Sequence, residues 1–129
     1  MDTEGTLKAL VLDDEADARF IISNILNKNG YDIVQVDTIQ SASNELAKNS
    51  FDLLFLDYNL PDGNSYDLLS DDLVKKSPTI ICSAYLNSEQ ISKFMELGVK
   101  VCLHKPLNQN RIVDEITKIK NKTDENTGN

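Results

Sequence analysis

Positive charge is what this chain has least of. In its 129 residues, 13 Lys and Arg stand against 21 Asp and Glu, a net charge of −8. That balance argues against nucleic-acid or anionic-membrane binding by this chain alone, because both need a basic footprint. It leaves open a DNA-binding domain joined elsewhere. Cysteine is scarce too. The two present, Cys82 and Cys102, both lie in apolar strand-like runs and read as buried free thiols of a cytosolic protein. No apolar stretch approaches the ~18 residues of a membrane span. Residues 1–8 are polar and lack a signal-peptide core, so the cytoplasm is the default location. There are no internal repeats and no low-complexity segments. No glycine-rich loop follows the first apolar run, which excludes a P-loop or dinucleotide-binding reading.

What is present is alternation. Apolar strand-like runs occur at 7–12, 31–36, 51–56, 79–82 and 99–103. Helical periodicities fill the gaps. The first, 15–29, carries Ala18, Ile21, Ile22, Ile25 and Leu26 on one face and stops at Gly30, a good left-handed terminator. The second, 39–48, has Thr38 as its N-cap. The third starts after Gly63, ends before Pro78 and presents Tyr66, Leu68, Leu69, Leu73 and Val74. The fourth, 88–97, has Ser88 as a cap, an apolar stripe of Ile91, Phe94, Met95 and Leu97, and a stop at Gly98. The fifth, from Gln109 to about Lys120, spaces Ile112, Val113, Ile116 and Ile119 helically.

Five strands alternating with five helices predict an α/β fold, a parallel sheet covered on both faces. The first, third and fourth runs are almost continuously apolar, as central strands should be. The second carries Asp32 and Gln35 and reads as an edge. Right-handed crossovers then favour a flavodoxin-like strand order, 2-1-3-4-5. Residues 1–121 are expected to form one domain. Residues 122–129 read as a disordered tail or the start of a linker, and Met1 as a natural N-terminus.

Acids gather at the ends of two of these runs. Asp13, Asp14 and Glu15 follow the first, and Asp57 ends the third. In such sheets ligands bind beyond the carboxyl ends of the strands. Helix capping explains one or two acids after the first strand, but it explains Asp57 poorly. Carboxylates gathered there repel, at about 3 kcal/mol per pair for ~5 Å and an effective dielectric of ~20. Lys105, just past the fifth run, supplies one positive charge, and a bound Mg²⁺ would supply two more. Mg²⁺ prefers carboxylate oxygen and bridges to phosphate. A carboxylate beside such a cation and a lysine is a credible phosphoryl acceptor.

Four segments, each at a strand end and in this order, carry a resemblance. They are Val11-Leu12-Asp13-Asp14-Glu15, Leu56-Asp57-Tyr58-Asn59-Leu60-Pro61-Asp62-Gly63, Cys82-Ser83-Ala84 and His104-Lys105-Pro106-Leu107. Together, over 7–120, the chain resembles the receiver domain of two-component response regulators, of the chemotaxis-regulator type. The resemblance implies that Asp57 accepts the phosphoryl group. It implies that Asp14 ligates Mg²⁺ directly, that Asp13 acts through metal-bound water, and that the Asn59 backbone carbonyl is a third protein ligand beside Asp57. Ser83 resembles the switch hydroxyl, and Lys105 the lysine that pairs with the phosphate. Lys105-Pro106 looks like the family's cis peptide bond. The implied partners are a histidine kinase or histidine phosphotransfer protein as donor. A downstream protein or output domain would bind the face of the fourth helix, fifth strand and fifth helix. Such a domain is a signalling phosphoacceptor, catalysing only its own phosphotransfer and autodephosphorylation.

Two departures follow. The family usually has an aromatic residue three positions before the lysine, and Cys102 stands there. Tyr85, two residues after Ser83, is a candidate substitute. His104 alternates away from Lys105 and reads as structural. Pro61-Asp62-Gly63 is a turn needing no chemical role. A phosphorylation-independent interaction module is the alternative, favoured by Cys102 and opposed by the intact acids and lysine. A hydrolase with an aspartyl-phosphate intermediate would usually carry a second Asp two residues after the nucleophile, where Asn59 stands.

Overall fold

The apolar runs become parallel strands, and the segments between them become helices. The computed structural model describes residues 6–69 and 76–128, with side chains to 122. In chain order the elements are β1 (Leu7–Leu12), α1 (Ala16–Lys28), β2 (Tyr31–Val36), α2 (Ile39–Lys48), β3 (Leu53–Asp57), β4 (Asn59–Leu60), β5 (Gly63–Asn64), α3 (Tyr66–Leu69), β6 (Thr79–Ser83), α4 (Ser88–Glu96), β7 (Val101–His104) and α5 (Gln109–Gly128). Five strands form one parallel sheet in the order β2-β1-β3-β6-β7. This is the order expected from the sequence once β4 and β5, a two-residue antiparallel ribbon, are set aside.

Strand alternation sends side chains to two separate cores. Leu10, Leu12, Leu54, Leu56 and Ile81 project to one side, where Ala42 and Leu46 of α2, Leu68 and Leu69 of α3 and Phe94 of α4 cover them. Ala9, Val11, Leu53, Phe55, Ile80, Cys82 and Leu103 project to the other, under Ile22, Ile25 and Leu26 of α1 and Ile112 and Ile116 of α5. The central strand β3 is buried along its whole length, whereas β2 exposes Asp32 and Gln35. Among the described residues no helix is long and apolar enough to cross a membrane.

Helix ends follow local chemistry. Gly30, at φ 96°, lets the chain leave α1 in a conformation that favours glycine. The Thr38 hydroxyl caps α2 by accepting from Ser41 N at 3.1 Å. Asp62, beyond the turn after β3, adds a second tie to α2: its carboxylate accepts from Ile39 N at 2.9 Å and Gln40 N at 3.1 Å. Those bonds lower its pKa, the Ile39 bond first. The Pro61-Asp62-Gly63 turn is therefore anchored to a neighbouring helix.

Several expectations are corrected. The cap of α4 is Asn87, one residue before Ser88. Asn87 Oδ1 accepts from Gln90 N at 2.8 Å and Gln90 Oε1 accepts from Asn87 N at 3.1 Å, a reciprocal capping box. The α4 stripe is narrower than its periodicity suggests: Phe94 alone is buried and Met95 is exposed. In α1, Ile21 lies at the edge of the apolar face and is exposed, as is Phe20. Cys102 is half-buried because β7 is an edge strand, while Cys82 in β6 is fully buried. Helix α5 continues to Gly128, past Lys120 where its apolar stripe ends. Extending a formed helix adds one hydrogen bond per residue fixed, so a polar segment can continue it. Leu73 and Val74, expected in the third helix, lie outside the described residues.

The burial contrast between β3 and β2 has a direct consequence. Leu54→Ala should lower the unfolding free energy by about 2–5 kcal/mol through lost burial and an unfilled cavity. Gln35→Ala, on the exposed edge, should stay within about 0.5 kcal/mol of the parent. Urea denaturation of the two variants checks this.

Candidate functional site

Register builds the site. β1 and β3 pair with Leu12 opposite Leu56, so the next residues, Asp13 and Asp57, sit level at the carboxyl ends of adjacent strands. Both have the parity of Val11 and Phe55 and project toward the α1/α5 side. On the far side of β3, Cys82 of β6 pairs with Asp57. β6 and β7 pair through Ser83 and His104, which brings Lys105 to the same end. Lys105 N donates to Ser83 O at 2.9 Å. The Lys105-Pro106 peptide is cis.

The Lys105 ammonium bridges three carboxylates. It lies 3.0 Å from Asp13 Oδ2, 3.2 Å from Glu15 Oε1 and 3.3 Å from Asp57 Oδ2. Asp13 is wholly buried and Asp57 is 6% exposed. Asp13 also accepts from Glu15 N at 2.9 Å, and its main-chain oxygen accepts from Arg19 Nη1 at 2.7 Å. Burial pushes the Asp57 carboxyl up to about 6, and the charge of Asp13 adds to the rise, while Lys105 opposes both. Burial works against the Lys105 ammonium too. Its hydrogen bond to Asp13 and the charges of Asp57 and Asp13 outweigh that and push its pKa up.

The acids after β1 are not simple helix caps. Glu15 occupies the N-cap of α1, yet its side chain makes no capping hydrogen bond and turns to Lys105 instead. Asp13, Asp14 and Asp57 are the acids expected around the site, with Lys105 as a balancing charge. Glu15 takes the third place, and Asp14 stands exposed on the rim. The signal for Glu15 was present, since i and i+2 residues flanking a strand end can turn to the same side, but it could not be told from a helix-dipole acid.

Asp13, Asp57 and Cys82 place one ligand atom each within 4.8 Å of one another. The Cys82 thiol is pushed up, by burial first and then by the charge of Asp57, and it donates to Leu56 O at 3.7 Å. A protonated thiol does not suit a hard cation, whereas the two carboxylates do. This donor chemistry fits Mg²⁺. Asn59 is exposed at the start of the β4–β5 ribbon. Ser83 is buried and held in its own turn, donating from Oγ to Tyr85 O at 3.1 Å and accepting from Tyr85 N at 3.2 Å. Tyr85 itself is 83% exposed, so its ring does not fill the layer beside Cys102. His104 is exposed, on the other side of β7 from Leu103.

Because the Asp57 pKa is raised on folding, the native state keeps a proton that the unfolded chain has released. Stability is therefore lost as pH rises from about 4, the unfolded value, through about 6. Removing the charge with Asp57→Asn should stabilise the Mg²⁺-free protein at pH 7 by on the order of 2–3 kcal/mol. It should also flatten the stability profile between pH 4 and 6. Denaturant melts across that range, run in chelator, read both effects.

Comparison with known proteins places this geometry. The family model for the response regulator receiver domain matches residues 9–117. The chain is 34% identical over 116 residues to the sensory transduction protein LytR of Staphylococcus epidermidis, covering 88% of this chain and 46% of that protein. It is 30% identical over 118 residues to chemotaxis protein CheY-3 of Vibrio cholerae, covering 88% and 91%. The chain thus spans about half the length of the LytR proteins it matches. The signal receiver domain of a putative Luxo repressor protein from Vibrio parahaemolyticus superposes with a TM-score of 0.84 at 22% identity, over 95% of this chain and 96% of that one. A CheY-like receiver domain protein from Methanospirillum hungatei gives 0.84 at 22% identity, over 93% and 98%. These two structures speak to the fold, and the family match speaks to kinship: the chain belongs to the response regulator receiver domain family of two-component signalling.

Proposed function

We propose that this chain takes a phosphoryl group from the phosphohistidine of a histidine kinase or phosphotransfer protein onto Asp57, in a Mg²⁺-dependent reaction, and changes its partner binding as a result. The observation that carries the reading is Lys105, whose ammonium spans from Asp13 to Asp57 at 3.0 and 3.3 Å. A lysine so placed can pair with phosphoryl oxygens once Asp57 carries them.

In this reading one Asp57 carboxylate oxygen forms the new bond to phosphorus while the phosphorus–nitrogen bond to the donor imidazole breaks. With its pKa near 6, Asp57 is mostly ionised and nucleophilic at pH 7. Asp13, Asp14, Asp57 and the Asn59 carbonyl would hold the cation. Bound there, Mg²⁺ would offset charge on the transferring group. Lys105 exchanges its carboxylate contacts for the phosphoryl oxygens, and the Ser83 hydroxyl leaves Tyr85 O to donate to the same group. Hydrolysis returns the aspartate. The domain promotes only these two reactions on itself.

An open groove of about 680 Å³ borders the site between the start of α1 and the Lys105–Leu107 segment, lined by Ile21, Ile22, Pro106 and Leu107. With Phe20 exposed nearby, it supports donor docking beside Asp57. The face of α4, β7 and α5 is the proposed output surface. A cleft of about 410 Å³ lined by Cys102, His104 and Arg111 lies on it. The cytoplasm is the proposed location.

Incubation with acetyl phosphate and Mg²⁺, followed by intact mass, tests the proposal. One phosphoryl adduct per chain is expected. It should be absent in Asp57→Asn and in chelator, and should form more slowly in Lys105→Met. No adduct under any donor or Mg²⁺ condition would favour the phosphorylation-independent module. Turnover of many phosphate esters per chain would favour a hydrolase.

A further inference from the structure

We infer that Tyr58, the residue after Asp57, relays the phosphorylation state of the site through Phe94 to Tyr66 and helix α4. The inference rests on the phosphoacceptor reading of Asp57 and adds the route by which its state reaches the surface.

Strand parity separates the two neighbours. Asp57 projects to the α1/α5 side, and Tyr58 projects to the opposite side, packed against the core of Phe94 and Leu56. There the Tyr58 ring meets Phe94 edge-on, with centroids 5.4 Å apart and planes at 76°. Tyr66, at the start of α3, stands 6.1 Å from the same Phe94 ring at 52°. Phe94 is 1% exposed and Tyr66 is 40% exposed, so the row of three rings runs from the acceptor strand to the surface.

The backbone of Tyr58 is held on both sides. Its N–H donates to Cys82 O at 2.9 Å, and its carbonyl accepts from Ser65 N at 2.9 Å. Cys82 precedes Ser83, and Ser65 precedes Tyr66. A main-chain adjustment at Asp57–Tyr58 therefore pulls on the Ser83 turn in one direction and on the first turn of α3 in the other. The segment 84–87, which leads from the Ser83 turn to the Asn87 cap, ends in the helix that Phe94 anchors. Both routes reach Phe94.

Motion needs room and a weakly held element. Close-packed rings rearrange more readily beside open space. Here a cleft of about 370 Å³ is lined by Tyr58, Tyr66, Phe94, Asn64, Gln90 and Lys93. Helix α4 has one buried residue, Phe94, so a shift of that ring moves the helix without dismantling a large core. Strand β7 packs only the small, half-buried side chain of Cys102 into this layer, since His104 on the same side is exposed. The aromatic volume able to report on the site thus comes from the acceptor strand itself. Two arrangements of the three rings, biased by the state of Asp57, would form the switch.

NMR of the full chain labelled with ¹³C in its tyrosine rings tests this, with Mg²⁺ and acetyl phosphate present and the adduct measured by intact mass on the same sample. When the adduct forms, the Tyr58 and Tyr66 ring signals should shift, while Tyr31, at the other end of the sheet, should not. Tyr58→Phe should keep the Tyr66 shift. Tyr58→Leu, which keeps the main-chain bonds of residue 58 and removes the ring, should form the adduct and diminish the Tyr66 shift relative to the parent. Phe94→Leu, which leaves Tyr58 in place, should do the same. An undiminished Tyr66 shift in adduct-bearing Tyr58→Leu or Phe94→Leu overturns the relay, as does an adduct in the parent with no ring shift. These results leave the phosphoacceptor reading standing. Absence of any adduct overturns both.

Discussion

One ammonium held among three carboxylates is the interaction around which this end of the sheet is arranged. Asp13 and Asp57 are almost completely buried, and two buried carboxylates on adjacent strands repel strongly at low dielectric. Lys105 offsets part of that cost in the absence of a cation; burial first, and the charge of Asp13 after it, still leave Asp57 binding a proton more readily than a free aspartate. A site with this residual demand for positive charge suits a divalent cation. The same lysine that balances it can turn to an anion delivered to Asp57.

The sheet makes that concentration of charge possible and also limits it. Parallel register places Asp13, Asp57 and Lys105 at one end, and alternation turns all three to one face. The opposite face receives Leu56 and Tyr58, neighbours of Asp57 in sequence. The proposed chemistry and the proposed relay thus fall on the two sides of a single strand. Asp62 adds a mechanical tie, because the turn that follows the acceptor strand holds the first turn of α2. The loop beside Asp57 is braced by a helix from a different part of the chain.

Much of this was legible in the residues, and the reasons are specific. Near-continuous apolar runs at β1, β3 and β6 identified doubly buried strands, and the polar Asp32 and Gln35 identified β2 as an edge. With right-handed crossovers, strand order followed. Periodicity was less reliable where burial was one-sided. Ile21 and Met95 fit helical stripes yet are exposed, because a stripe says which face is apolar and not how much of it is covered. Asn87 and Ser88 are both good caps, and only the reciprocal bonds with Gln90 decide between them. In the site, Asp13, Asp57 and Lys105 are brought together as expected. Glu15 was hidden by looking like an ordinary first-turn acid, and the role of Asp62 depended on a contact across 23 residues. The ring row of Tyr58, Phe94 and Tyr66 has no sequence signature at all, since its members come from a strand end and two different helices.

If Lys105 balances carboxylates that would otherwise hold a cation, the two positive charges compete in the unphosphorylated state. Calorimetric Mg²⁺ titration of the parent and of Lys105→Met measures that competition directly. One Mg²⁺ per chain is expected, with tighter binding in Lys105→Met. Equal or weaker binding in that variant, or no Mg²⁺ binding by the parent, would contradict it.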